Sequence, residues 1–108
     1  MPYFIFRGYD VPETSAQIRA AARPEHRSYI REVHHGVRAV AGGMVVNESG
    51  DEATGTLLIL DAPDRAAALR YLEGDPYHGA GLFARIEIDR WDWGLGSPSP
   101  GGGVAGIP

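Results

Sequence analysis

The chain has 108 residues, ten basic and fourteen acidic side chains, a formal net charge of −4 and 44% hydrophobic content. That fits one small globular domain and argues against a nucleic-acid binder, which would carry a basic stripe. It has no cysteine and no lysine, so disulfides, thiolate catalysis, iron–sulfur clusters, cysteine-ligated zinc and lysine Schiff-base chemistry are all excluded.

Residues 2–10 alternate Tyr3, Ile5, Arg7 and Tyr9 with Phe4, Phe6 and Gly8, and this period of two predicts a first strand. Residues 11–22 read as a helical lead-in capped at Thr14 or Ser15. A firmer helix is expected to begin near Pro24, because proline suits a first helical turn. It should run through Ile30 and Val33 to His35, with Gly36 as its stop. Residues 37–46 read as a strand, 47–52 as a polar connection and 54–60 as another strand. Asp61 or Asp64 can cap the next helix, with Pro63 in its opening turn, Ala68, Leu69 and Leu72 on its apolar side and Gly74 at its end. A compact turn at 75–79 leads into a last strand over residues 82–91.

This β-α-β-β-α-β order predicts a ferredoxin-like α+β domain over residues 1–93, an antiparallel sheet with two helices on one face. Residues 94–108, rich in glycine, serine and proline, have the composition of a flexible tail outside the core. No apolar run approaches the roughly 18 residues of a membrane span. Residues 1–6 lack the basic flank and cleavage site of a signal peptide, so a cytoplasmic location is the expectation. Two strands look apolar on both sides. Val37, Ala39 and Val45 oppose Val40, Met44 and Val46, and Leu57 and Ile59 oppose Leu58 and Leu60. A second covered face implies a partner, and a homodimer is expected.

His26 shares a helical stripe with Ile30 and Val33. Near a helix start it would be partly desolvated and close to the positive end of the helix dipole, two effects that favour a neutral base. A satisfied core histidine is the alternative. If the first strand runs upward, the first helix starts at the top and the second ends there. Tyr9, Asp10, Arg23, His26, the 47–53 connection, Asp75, Tyr77 and His78 then gather at one end. Asp75 can accept a hydrogen bond from one ring nitrogen of His26 while the other faces a substrate, although an Asp-Pro turn would explain Asp75 equally. Arg23, Tyr9 and Tyr77 are the candidate ligand-binding residues, Tyr77 as a pocket wall. His34 and His35 suit an exposed last helical turn. The four histidines show no ligand spacing with carboxylates, so neither a metal site nor a cofactor is expected.

The segment Arg23-Pro24-Glu25-His26 is similar to the Arg-Pro-x-His helix opening of YCII-related proteins. Ala41-Gly42-Gly43 resembles that family's Ala-Gly-Pro turn, with glycine in place of proline. Ala53-Thr54-Gly55-Thr56 resembles its Thr-Gly-Ser strand entry, and Asp75-Pro76-Tyr77, followed by Ala80-Gly81-Leu82, resembles its Asp-Pro-Tyr segment. These pieces occur in order across residues 2–91. The resemblance implies a dimeric α+β barrel and a His–Asp site at His26 and Asp75. The expected function is proton transfer without a cofactor, by isomerisation or elimination, on a compact small-molecule substrate, aromatic ones included. The alternatives are a non-catalytic small-ligand module and a structural dimer.

Overall fold

The alternation of aromatic and β-branched residues builds the centre of the sheet. In the computed structural model, which describes residues 2–96, strand β1 (Tyr3–Asp10) buries Phe4, Phe6 and Gly8 and leaves Tyr3, Ile5, Arg7 and Tyr9 half-exposed on the opposite face. Then come α1 (Ser15–Ile30), β2 (Arg38–Val46), β3 (Ala53–Asp61), α2 (Arg65–Glu73), the one-turn α3 (Pro76–Gly79) and β4 (Phe83–Trp91). The strands are antiparallel in the order β2-β3-β1-β4, the ferredoxin-like arrangement. The segment expected as a tail lies outside the described residues from position 97 onward.

Register assigns each side chain to a face. Gly42, Leu58, Phe6 and Ile88 form one row across the sheet, and Ala39, Leu60, Phe4 and Arg90 another. This face lies under the helices. The other face carries Ala41, Ile59, Ile5 and Asp89 in one row and Gly43, Leu57, Arg7 and Glu87 in the next. No element of the described chain covers it.

The two long helices bury different chemistry. Asp64 caps α2 by accepting the backbone N–H of Ala67 at 2.8 Å, and the helix then sends Ala67, Ala68, Tyr71 and Leu72 into a core with Phe4, Phe6, Val37, Leu58, Leu60 and Ile88. Helix α1 fully buries only Arg19 and His26. Buried polar side chains are the informative exceptions in a small domain. The seam of α1 is therefore fastened by hydrogen bonds as well as by the half-buried Tyr29 and Ile30, which pack against the core.

Three expectations are corrected. Helix α1 begins at Ser15, and Pro24 lies inside it. Proline supplies no N–H to the carbonyl of Ala20, but both residues are exposed, so water can take that acceptor. The helix also stops at Ile30, short of His35. His35 and Gly36, with φ of 58° and 73°, form a two-residue turn that closes His34 onto Val37 through paired backbone bonds of 3.1 and 2.9 Å. His34 is not an exposed helix-end residue: its ring stacks on Tyr29 at 3.9 Å. In β2 the alternation breaks at an irregularity between Ala39 and Ala41, which puts Ala39 on the helix-covered face and Val45 on the open one.

Candidate active site

The site is built where the C-terminal half of α1 meets the end of α2. Tyr29 fixes that approach: its hydroxyl donates to the carbonyl of Tyr71 at 2.7 Å. One turn earlier on α1, His26 comes against Asp75. The sequence Asp-Pro-Tyr makes the carboxylate the N-cap of α3, where it accepts the Tyr77 N–H at 2.9 Å. The same carboxylate lies 2.8 and 3.0 Å from His26 Nδ1. An ionised carboxylate only accepts, so Nδ1–H is the donor, and in the neutral imidazole Nε2 then carries the lone pair. Asp75 is 2% exposed and His26 7%. The Tyr77 ring stacks on the imidazole, 3.8 Å between centroids and 11° between planes, which holds its orientation.

Among the described residues the hydrogen bonds of the His26 ring are those of Nδ1, and His26 lines a cavity of about 310 Å³ between α1 and the β2–β3 half of the sheet. That volume falls at the lower end of the range for small-ligand sites, roughly 300–1,000 Å³. The walls are Arg19, Arg23 and Arg27 from α1, Arg31 at its C-cap, Gly42, Gly43 and Met44 from β2, Thr56 and Leu58 from β3, and Tyr77. Gly42 keeps the floor low because a β-carbon there would strike the Leu58 side chain, whereas a β-carbon at Gly43 would meet nothing.

Arg19 anchors the upper part of the site. Its Nε and Nη2 donate to the two oxygens of Asp10 at 2.8 and 2.9 Å, and Nη2 also reaches the Gly55 carbonyl at 2.7 Å and Thr56 Oγ1 at 2.8 Å. Its guanidinium carbon lies 5.3 Å from the Tyr77 ring centre. Burial and the negative charge of Asp75 raise the Tyr29 phenol above its ordinary range, and the same causes raise Tyr71 further.

His26, Asp75, Arg23 and Tyr77 thus come together, and Tyr9 does not. Tyr9 sits at the expected end of β1 but on the open face. There its hydroxyl donates to Glu87 at 2.8 Å, and the guanidinium carbons of Arg7 and Arg85 lie 4.1 and 4.2 Å from its ring centre. The dipole argument for His26 also falls away. With α1 starting at Ser15, the positive end of the helix is about three turns distant, and Asp75 sets the ring instead. Arg19 escapes a reading that starts the helix at Pro24, although the four-residue spacing from Arg19 through Arg23 and Arg27 to Arg31 is visible in the sequence. Among the described residues, no three His, Asp or Glu side chains cluster as metal ligands, and no helix is long and apolar enough to cross a membrane.

The family model of the YCII-related domain matches residues 1–92. The chain belongs to the YCII-related family. Among solved structures, this YCII-related chain is similar to the 5-chloro-2-hydroxyhydroquinone dehydrochlorinase of Burkholderia phenoliruptrix AC1100 in complex with 2,5-dihydroxybenzoquinone. The two share 26% identity with a TM-score of 0.73, over 85% of this chain and 95% of that one. A NIPSNAP domain protein from Burkholderia xenovorans (13% identity, TM-score 0.52, 92% and 100% covered) shares the fold. So does an antibiotic biosynthesis monooxygenase (16%, 0.50, 86% and 98%). No match was found among curated proteins.

Proposed function

We propose that this YCII-related protein is a small acid–base enzyme in which His26 Nε2 removes a proton from a compact, hydroxylated aromatic substrate. The observation that carries this reading is the Asp75–His26 pair, with Nδ1 bonded at 2.8 Å and His26 among the residues that line the cavity. Asp75 fixes the tautomer and stabilises the imidazolium formed when Nε2 takes the proton. Arg23, on the same wall, is placed to hold the oxyanion left behind. The proton then returns at another atom in an isomerisation, or a leaving group departs with its electron pair in an elimination. Neither outcome requires electron transfer. The similarity to a dehydrochlorinase whose name specifies a chlorinated hydroquinone supports elimination and an aromatic substrate.

The test is a panel of hydroxylated and chlorinated hydroquinones, followed by absorbance and by chloride release. The wild-type protein should turn over at least one member, and His26→Gln should abolish that turnover while keeping the wild-type circular dichroism spectrum. A folded His26→Gln protein that retains the wild-type rate would refute the assignment. Saturable binding without turnover across the panel would instead make the chain a ligand-binding module.

A further inference from the structure

Arginines 19, 23, 27 and 31 follow one another at four-residue intervals along α1 and its C-cap, and all four line the cavity that His26 borders. Four residues overshoot a helical turn by about 40°, so the row drifts from the buried interior toward the open rim. Burial follows the drift: Arg19 is buried, Arg23 half-buried, and Arg27 and Arg31 exposed. Arg19 is neutralised by Asp10. Among the described residues, the other three have no carboxylate within ion-pair distance, and no acidic side chain lines the cavity. Asp51 and Glu52 border only an adjoining cleft at the Arg19–Arg23 end.

Like charges four residues apart on a helix repel and destabilise it, and here they concentrate in a protein whose net charge is −4. An anion lying along the row would relieve that repulsion. Successive arginines rise about 6 Å along the axis, about the separation of two oxygen-bearing groups across a benzene ring. A hydroxyl held at His26 and Arg23 therefore leaves the far side of the ring beside Arg27 and Arg31.

Building on the proton-transfer reading above, we propose that the cavity selects aromatic ligands that carry a carboxylate opposite the reacting hydroxyl, bound by Arg27 and Arg31. The guanidinium fork suits such a group because it can donate two parallel hydrogen bonds to one carboxylate.

A matched pair of probes isolates the carboxylate: 3,4-dihydroxybenzoate, whose 4-hydroxyl lies opposite its carboxylate, and catechol, titrated by NMR into the wild-type protein, the Arg27→Gln/Arg31→Gln double variant and His26→Gln. Both arginines are exposed and join no core contact, so the double variant should keep the wild-type spectrum. The wild-type protein should bind the dihydroxybenzoate at least about tenfold more tightly than catechol, the scale of one charge-assisted contact. That ratio should fall with added salt, drop to near one in the double variant and persist in His26→Gln. A wild-type ratio near one, a ratio unchanged in the double variant, or no binding of either probe would overturn the proposal. Because binding is read without turnover, a lost ratio alongside His26-dependent turnover refutes only the carboxylate site. A preserved ratio without turnover refutes only the catalytic reading.

Discussion

Removing the Arg19 side chain should destabilise the domain more than any substitution at the cavity rim. Arg19 is 2% exposed and makes four hydrogen bonds between 2.7 and 2.9 Å, two to Asp10 and one each to Gly55 and Thr56. These contacts tie α1 to the end of β1 and the start of β3. In Arg19→Ala the Asp10 carboxylate, with its side chain 4% exposed, keeps its charge and loses its counterion. Breaking one side of a buried pair costs about 3–5 kcal/mol, a large share of the roughly 5–15 kcal/mol that holds a small domain folded. With a urea slope of about 1–1.5 kcal/mol/M for a chain of this size, the unfolding midpoint should fall by about 2–5 M. Arg19→Lys keeps the charge but not the bidentate geometry and should cost less, about 1–2 kcal/mol, which gives a usable variant if the alanine form does not fold. Combining Arg19→Met with Asp10→Asn removes both charges, so the double variant should be less destabilised than the sum of its singles, by about 2 kcal/mol. Added salt should barely change the result, since a buried pair is weakly screened. A midpoint shift below about 0.5 M in Arg19→Ala, or strict additivity in the cycle, would show that α1 is held by something else.

Four further outcomes follow from the same geometry. Asp75→Asn keeps the oxygen that both caps α3 and accepts from His26 Nδ1 but removes the charge that stabilises an imidazolium, so His26-dependent turnover should fall while the fold is kept; an unchanged rate would count against the role given to Asp75. The Tyr71 hydroxyl is fully buried and has no partner among the described residues, so Tyr71→Phe should stabilise by about 1 kcal/mol in urea titrations; a clear loss would mean the hydroxyl is satisfied. Burial and Asp75 raise the phenols of Tyr29 and Tyr71, so the folded state holds protons that the unfolded chain releases. Stability should therefore be intact below about pH 10 and decline above it, less steeply in Tyr71→Phe. The open sheet face, with Ile5, Leu57, Ile59 and Ala41 at its centre, should pair with a second copy; light scattering at micromolar concentration should give twice the 11.6 kDa chain mass, and Ile59→Arg should return the monomer mass. A wild-type monomer would remove the basis for that pairing.

The strand order and the His26–Asp75 contact were legible in the sequence because they depend on short, strong signals: period-two alternation, the Asp64 and Asp75 caps, and one ordered set of family-like segments. What misled was local propensity read without tertiary context. Pro24 suits a helix start, but the buried Arg19 clamp holds the preceding turns in the helix, and the solvent side tolerates the missing N–H. Starting the helix late hid half of the arginine row and placed His26 beside the wrong pole of the dipole. His35-Gly36 looks like a helix stop, yet two successive left-handed residues make it a hairpin turn. Tyr9 shows that the end of a strand and the face of a strand are separate coordinates. It shares its face with Tyr3, Ile5 and Arg7, opposite the Phe4 and Phe6 side chains that must meet the helices.

Gly42 and Gly43 are neighbours in sequence, yet they divide the cavity into a conserving part and a permissive part. A side chain at Gly42 would have to displace Leu58, which lies in the core with Phe6, so change there is coupled to folding. A side chain at Gly43 would enter open space, and Met44, Arg27 and Arg31 are exposed around it. Substitutions at these four positions can alter the size and charge of what enters without disturbing the buried His26–Asp75 pair. A fold arranged in this way can drift from one substrate to another through single surface changes, each nearly neutral for stability.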